Sequence, residues 1–159
     1  MASLQWTLRL LPLLLALVAC GCSPRDSVLQ VEDDDPEMAA AISQARASLP
    51  HLWSVFERPI RGESVFSLKV KITDGNGTEH FWVGSLERRD GVTTGKIDND
   101  PNIVRNVKLG ERITIPDADI SDWLYKREGK MVGNYTLRAM FKQMPAEEVS
   151  RFRAMMADP

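Results

Sequence analysis

Cysteine is almost missing from this chain of 159 residues, and both copies, Cys20 and Cys22, fall within the first twenty-two positions. Everything that follows therefore has neither an internal disulfide nor a thiolate metal site. Histidine is equally scarce: His51 and His80 are the whole supply. A zinc site would need both of them plus carboxylates, so no metal is expected. Basic residues are not in excess, with 20 Lys and Arg against 22 Asp and Glu and a net charge of −2. Nothing here would neutralise a phosphate backbone, which argues against nucleic acid as a partner. The apolar run Leu10–Ala19 falls short of the roughly 20 residues that a helix needs to cross a bilayer.

That short run is nevertheless informative. Met1 to Arg9 carries one basic residue and no acid, the run from Leu10 follows, and Ser23-Pro24-Arg25-Asp26 closes it. This is the order of a secretory signal. Leu17-Val18-Ala19-Cys20 resembles the lipobox of bacterial lipoproteins, in which the cysteine is acylated, for example with palmitate, and becomes the first mature residue. The expectation is a signal peptide over 1–19, lipidation at Cys20, and a protein exported and lipid-anchored to the membrane of the cell envelope. Gly21 is not the aspartate associated with inner-membrane retention. In a Gram-negative cell the expected address is the periplasmic face of the outer membrane. Residues 20–35 are polar and end in Glu32-Asp33-Asp34-Asp35, which reads as a flexible acidic tether.

Residues 36–159 form one domain-sized remainder. Asp35-Pro36-Glu37 is a strong helix start, with a capping acid, a proline in the first turn and an acid at the positive dipole end. Met38, Ile42, Ala45 and Leu49 make one apolar stripe. Pro50 ends that helix and opens a second, with Leu52, Trp53 and Phe56 on a face. The period then changes: Phe66, Leu68, Val70 and Ile72 alternate with polar neighbours, which predicts a half-buried strand. Asp74-Gly75-Asn76-Gly77 turns it back into a second strand through Arg88. Further strands are predicted near 92–97, 103–107, 111–115, 120–126 and 130–133. Asn134 is placed to cap a helix with Leu137, Met140, Phe141 and Met144 on one side, and a final helix carries Val149, Phe152 and Met156. The expected class is α+β: N-terminal helices, a curled antiparallel sheet of five to six strands or a partly closed barrel, then C-terminal helices.

No motif announces a reaction. Asp98 to Asn102 begins like a calcium loop but has Ile103 where glycine is required and Leu109 where glutamate is required. Gly91 to Lys96 is one residue short of a phosphate loop. His80 is the one candidate general base, with Asp122 as the carboxylate that could orient it, so a hydrolase or transferase remains an alternative. No catalytic residue is assigned. His80 and Trp82 share one strand face, Trp123 and Tyr125 another. These four, with Asp122 and Arg138, make up a candidate binding or structural network. The competing reading buries the rings under the helices. Arg138, early in its helix and opposed by the dipole, is expected to pair with Asp119 or Asp122.

The strings Phe66 to Lys71, His80 to Val83, Gly110 to Pro116, Ile120 to Tyr125 and, above all, Gly129-Lys130-Met131-Val132-Gly133-Asn134-Tyr135-Thr136-Leu137-Arg138 resemble the YegJ-like bacterial domain of unknown function. The resemblance runs from about Ala41 to Met144. It implies no cofactor and no established catalytic residue. The functional expectation is a non-enzymatic binding domain on a lipid anchor, taking an unidentified protein or small molecule. A toxin-blocking immunity factor is a further alternative within that class.

Overall fold

The structure, a computed structural model, describes residues 35–60 and 62–157. The signal, Cys20, Cys22 and the tether ahead of Asp35 lie outside the described residues. Asp35 does what its sequence position promises. Its carboxylate accepts the amides of Glu37 at 2.8 Å and Met38 at 3.0 Å and starts helix α1, Pro36–Ala47. Ser48 breaks the helix, and α2, Leu49–Glu57, follows directly with Pro50 in its first turn.

Six strands follow: β1 (Ser64–Asp74), β2 (Gly77–Arg89), β3 (Val92–Ile97), β4 (Arg112–Ile115), β5 (Ile120–Arg127) and β6 (Lys130–Gly133). They form one antiparallel sheet in the order β4-β3-β2-β1-β5-β6. The sheet is not closed on itself, so the barrel alternative does not form. Pairing fixes the faces. Leu68 lies opposite both Val83 and Trp123, whereas Lys69 lies opposite Trp82 and Asp122. Leu68, Val83 and Trp123 thus share one face, and Lys69, Trp82 and Asp122 the other. A register shift between Lys69 and Val70 leaves Ser121 as the extra residue of a bulge on β5.

The core gathers on the Leu68 face. Trp123 and Tyr125 are fully buried and stack at 5.9 Å, Phe66 stacks on Tyr125, and Leu52 of α2 is fully buried in the same cluster. The Trp123 indole N–H donates to the Ala45 carbonyl at 2.9 Å and to the Ser48 hydroxyl at 3.0 Å. The helix break at Ser48 is thereby fastened to the sheet. β6 pairs only with Leu124–Arg127, which leaves the first half of β5 as an edge. Arg46 of α1 covers that edge by donating from Nε to the Ile120 carbonyl and from Nη2 to the Ala118 carbonyl.

The strand expected over 103–107 does not form. Its amides are taken by side chains instead. Glu79 accepts from the N–H groups of Asn102, Ile103 and Val104, and Asp74 accepts from that of Arg105 at 2.6 Å. The same Glu79 holds the Asn102 side chain, and Val104 is pressed into the core as a loop residue. Glu79→Ala should therefore release residues 100–107. Hydrogen exchange should accelerate selectively at Ile103 and Val104, with a global loss of about 1–3 kcal/mol. Uniform exchange across the loop before and after the change would refute this role.

Beyond β6, helix α3 spans Tyr135–Met140, a 3-10 turn covers Phe141–Gln143, and α4 runs over Ala146–Met155. The predicted single helix through Met144 is therefore split. Phe141 still stacks on Phe152 of α4, but Met156 leaves the helix to bridge Met131, and the Ala157 amide donates to the Met131 carbonyl.

Candidate functional site

Four residues of α1, Ala39, Ile42, Ser43 and Arg46, fall at i, i+3, i+4 and i+7 and so present one stripe. Opposite them stand Lys71 of β1, His80 of β2 and Ser121 of β5. Together they line a cleft of about 380 Å³. Lys71 and His80 are cross-strand partners on the Lys69 face, which is why both side chains reach the same space. The bulge on β5 brings Ser121 to them. His80 Nδ1 lies 2.8 Å from the Ser121 hydroxyl, which donates in turn to the Lys69 carbonyl at 3.1 Å. With that proton committed to the backbone, the imidazole Nδ1 is the donor to Ser121. Ser121 is 1% exposed, so its hydroxyl orients His80 rather than facing a substrate.

Asp122 is not part of the cleft, and the expected His80–Asp122 pairing is absent. Its Oδ1 accepts from the Trp123 amide at 2.8 Å and the Tyr135 amide at 3.1 Å. Its Oδ2 accepts from the Thr136 amide and hydroxyl, both at 2.7 Å. The carboxyl is the cap of α3, supplied from a neighbouring strand instead of from the residue before the helix. Asn134, the expected cap, sits in the left-handed conformation at φ 55° and makes no capping bond. Its side chain donates to Met131 Sδ. Lys69 Nζ donates to the Thr136 hydroxyl at 3.1 Å, extending the network to the cleft side of the sheet. Burial pushes the Asp122 carboxyl above its ordinary value of 3.8, and the bonds from Thr136, Trp123 and Tyr135 oppose this.

The remaining candidates separate. Trp123 and Tyr125 belong to the core on the opposite face from His80 and Trp82, so the four rings form no common floor. Tyr125 keeps a polar handle: Arg127 donates to its hydroxyl at 2.5 Å, and His51 Nε2 lies 3.3 Å away. Trp82 is half-buried beside Lys69, whose ammonium lies 5.8 Å from the ring centroid. Arg138 pairs with neither expected acid. It donates from Nε to the Gly133 carbonyl and from Nη2 to the Ala157 carbonyl at 2.6 Å. The guanidinium fastens the C-terminal segment, because α3 is so short that Arg138 already lies in its last turn, where a cation suits the dipole. Arg46 was missed from the sequence. Its spacing from Ile42 and Ser43 was the available signal. Among the described residues no three His, Cys, Asp or Glu side chains are grouped to hold a metal ion.

An open antiparallel sheet with helices before its first strand and after its last, and a polar cleft under α1, defines an α+β domain, and sequence comparison places it. The chain matches the family described as "Uncharacterized protein conserved in bacteria (DUF2314)" over residues 35–157, and it belongs to that family. It is 34% identical over 149 residues to the uncharacterized protein YegJ of Escherichia coli, covering 94% of this chain and 96% of that protein. It is also 31% identical over 132 residues to a putative ankyrin repeat protein of Neisseria meningitidis serogroup B. That likeness covers 77% of this chain but 52% of the relative, so the domain there is one part of a longer protein. No solved structure matches the chain.

Proposed function

We propose that this protein is an exported, lipid-anchored component of the bacterial cell envelope whose domain binds a ligand or partner in the cleft under α1. The observation that carries the binding reading is the cleft itself: exposed Ala39, Ser43, Arg46 and Lys71 surround a fixed imidazole. Buried Ser121 and the commitment of Asp122 to α3 weigh against a hydrolase or transferase that uses His80 with that serine or that carboxylate. The lipobox-like Leu17-Val18-Ala19-Cys20 supports the anchor. The likeness to YegJ is longer than the folded domain and so extends ahead of it.

Two measurements test the reading. Cys20→Ser should abolish palmitate labelling and membrane retention, while Cys22→Ser leaves both unchanged. Label persisting on Cys20→Ser protein would refute the assigned anchor. A photo-crosslinking side chain at Ser43 should yield a discrete adduct in cells that is lost on Lys71→Glu. Adducts no different from those at the exposed Thr114 of β4 would refute the cleft as the binding site.

A further inference from the structure

Two bulges interrupt neighbouring strands. On β1, Val65 and Phe66 stand opposite the single residue Tyr125 of β5, and on β2, Ser85 and Leu86 stand opposite the single residue Gly95 of β3. The first residue of each bulge lies in the left-handed region, Val65 at φ 53° and Ser85 at φ 48°. Glycine is the usual occupant of that position, and a β-branched side chain there is an outlier. Val65 recovers little by packing, since it is 56% exposed. Backbone strain of this kind gathers at ligand sites.

All four bulge residues line one pocket of about 510 Å³, within the roughly 300–1,000 Å³ usual for small-molecule sites. Its walls are apolar. Phe56 of α2 meets Phe66 edge-on at 5.2 Å, Leu86 and Ile97 join them, and Leu109, 50% exposed, lines the pocket with Val65. Among the described residues its charged lining is one base and one acid, Lys96 and Asp98, both exposed. The Asp98 amide bonds to the Trp82 carbonyl at 2.9 Å, so the strand pairing runs on past Ile97. The two charges therefore fall on one side of the chain, roughly 7 Å apart along it.

Apolar walls beside one positive and one negative charge suit an amphiphile whose head carries both signs. We propose that this pocket is a second binding site, independent of the cleft under α1, and that it takes the hydrocarbon chain of a single-chain zwitterionic lipid. The phosphate of the head lies toward Lys96 and its ammonium toward Asp98. The strain at Val65 holds an apolar side chain out where the lipid chain meets it.

The test uses the full chain reconstituted in phosphatidylglycerol vesicles. The probe is a lysophosphatidylethanolamine with a diazirine at the end of its chain, and mass spectrometry locates the adducts formed on illumination. Label should fall on the walls, at Phe56, Phe66, Leu86 or Leu109. It should drop about tenfold in Leu109→Lys and in Val65→Asn, the worth of one apolar side chain. Val92→Lys, which changes an apolar residue of 53% exposure outside the pocket, should keep the label. Val65→Asn should at the same time raise the melting temperature by circular dichroism, because asparagine tolerates the left-handed region. Unlabelled lysophosphatidylethanolamine should compete about fivefold better than lysophosphatidylglycerol, the worth of one exposed ion pair. Label spread over the surface, or retained by both variants, would overturn the pocket. Equal competition by the two lipids would overturn the zwitterionic head, and a lower melting temperature for Val65→Asn would overturn the role given to Val65. A benzophenone side chain at Leu109 that yields crosslinked dimers and no lipid adduct would assign the groove to a second copy of the chain and overturn the lipid.

Discussion

Gly133→Ala is expected to destabilise the protein by about 2–5 kcal/mol, read as a lowered midpoint in chemical denaturation. Two costs combine. Gly133 has φ +85°, where a side chain costs about 1–2 kcal/mol. A Cβ there would also lie 2.5 Å from the Trp123 carbonyl oxygen and 2.6 and 2.7 Å from two indole ring carbons. Neither neighbour can yield cheaply: the carbonyl accepts the Asn134 amide at 2.8 Å, and the indole is locked by Ala45 and Ser48. Forced repacking of such a site adds about 1–3 kcal/mol. Gly129 is the control. It has φ +79° and nothing within 4 Å of a Cβ, so Gly129→Ala should cost only the conformational part. Equal losses at the two positions would show that the close approach is not what demands glycine at 133.

That demand could be read from sequence, because Gly133 stands between a short strand and a helix. So could the alternation from Phe66 to Ile72, the Asp74–Gly77 turn and the Asp35 cap. Each is encoded within a few residues by periodicity or turn chemistry. The misreadings share a different cause. Residues 103–107 have strand-like composition, but their amides are claimed by Glu79 and Asp74, more than twenty residues away in sequence. Asn134 looks like a cap, but the capping oxygen comes from Asp122 across the sheet. A helix running on to Met144 leaves Arg138 near its positive end and far from its negative one, hence the expected carboxylate. The helix that forms ends at Met140. The cleft was only half legible. His80 and its face followed from strand alternation, whereas Ser121 reaches His80 through a bulge that alternation cannot foresee. Side chains that satisfy distant backbone leave no local pattern.

The Asp122 carboxyl is the most consequential of these distant bonds. Asp122→Ala is expected to cost about 4 kcal/mol or more, since each buried donor left unpaired costs about 1–3 kcal/mol and four donors lose their acceptor. The damage should be directional. Tyr135, which packs edge-on against Trp123, and Thr136 are the first residues of α3, so exchange at the start of that helix should rise more than elsewhere. Asp122→Asn keeps the volume but turns an amide N–H toward donors, so it should fall well short of full rescue. The two proteins should also differ with pH. Burial raises the folded carboxyl above its ordinary 3.8, so between that value and the folded pKa the native state holds more protons than the unfolded chain. The contribution of this titration is then complete below pH 3.8 and is lost as pH rises through the folded pKa. Subtracting the Asp122→Asn stability from that of the wild type removes the background of other acids. The difference should shrink on going from about pH 3.5 upward through the folded pKa. A difference that instead grew with pH would mean that the four donors outweigh burial and hold the carboxylate ionised.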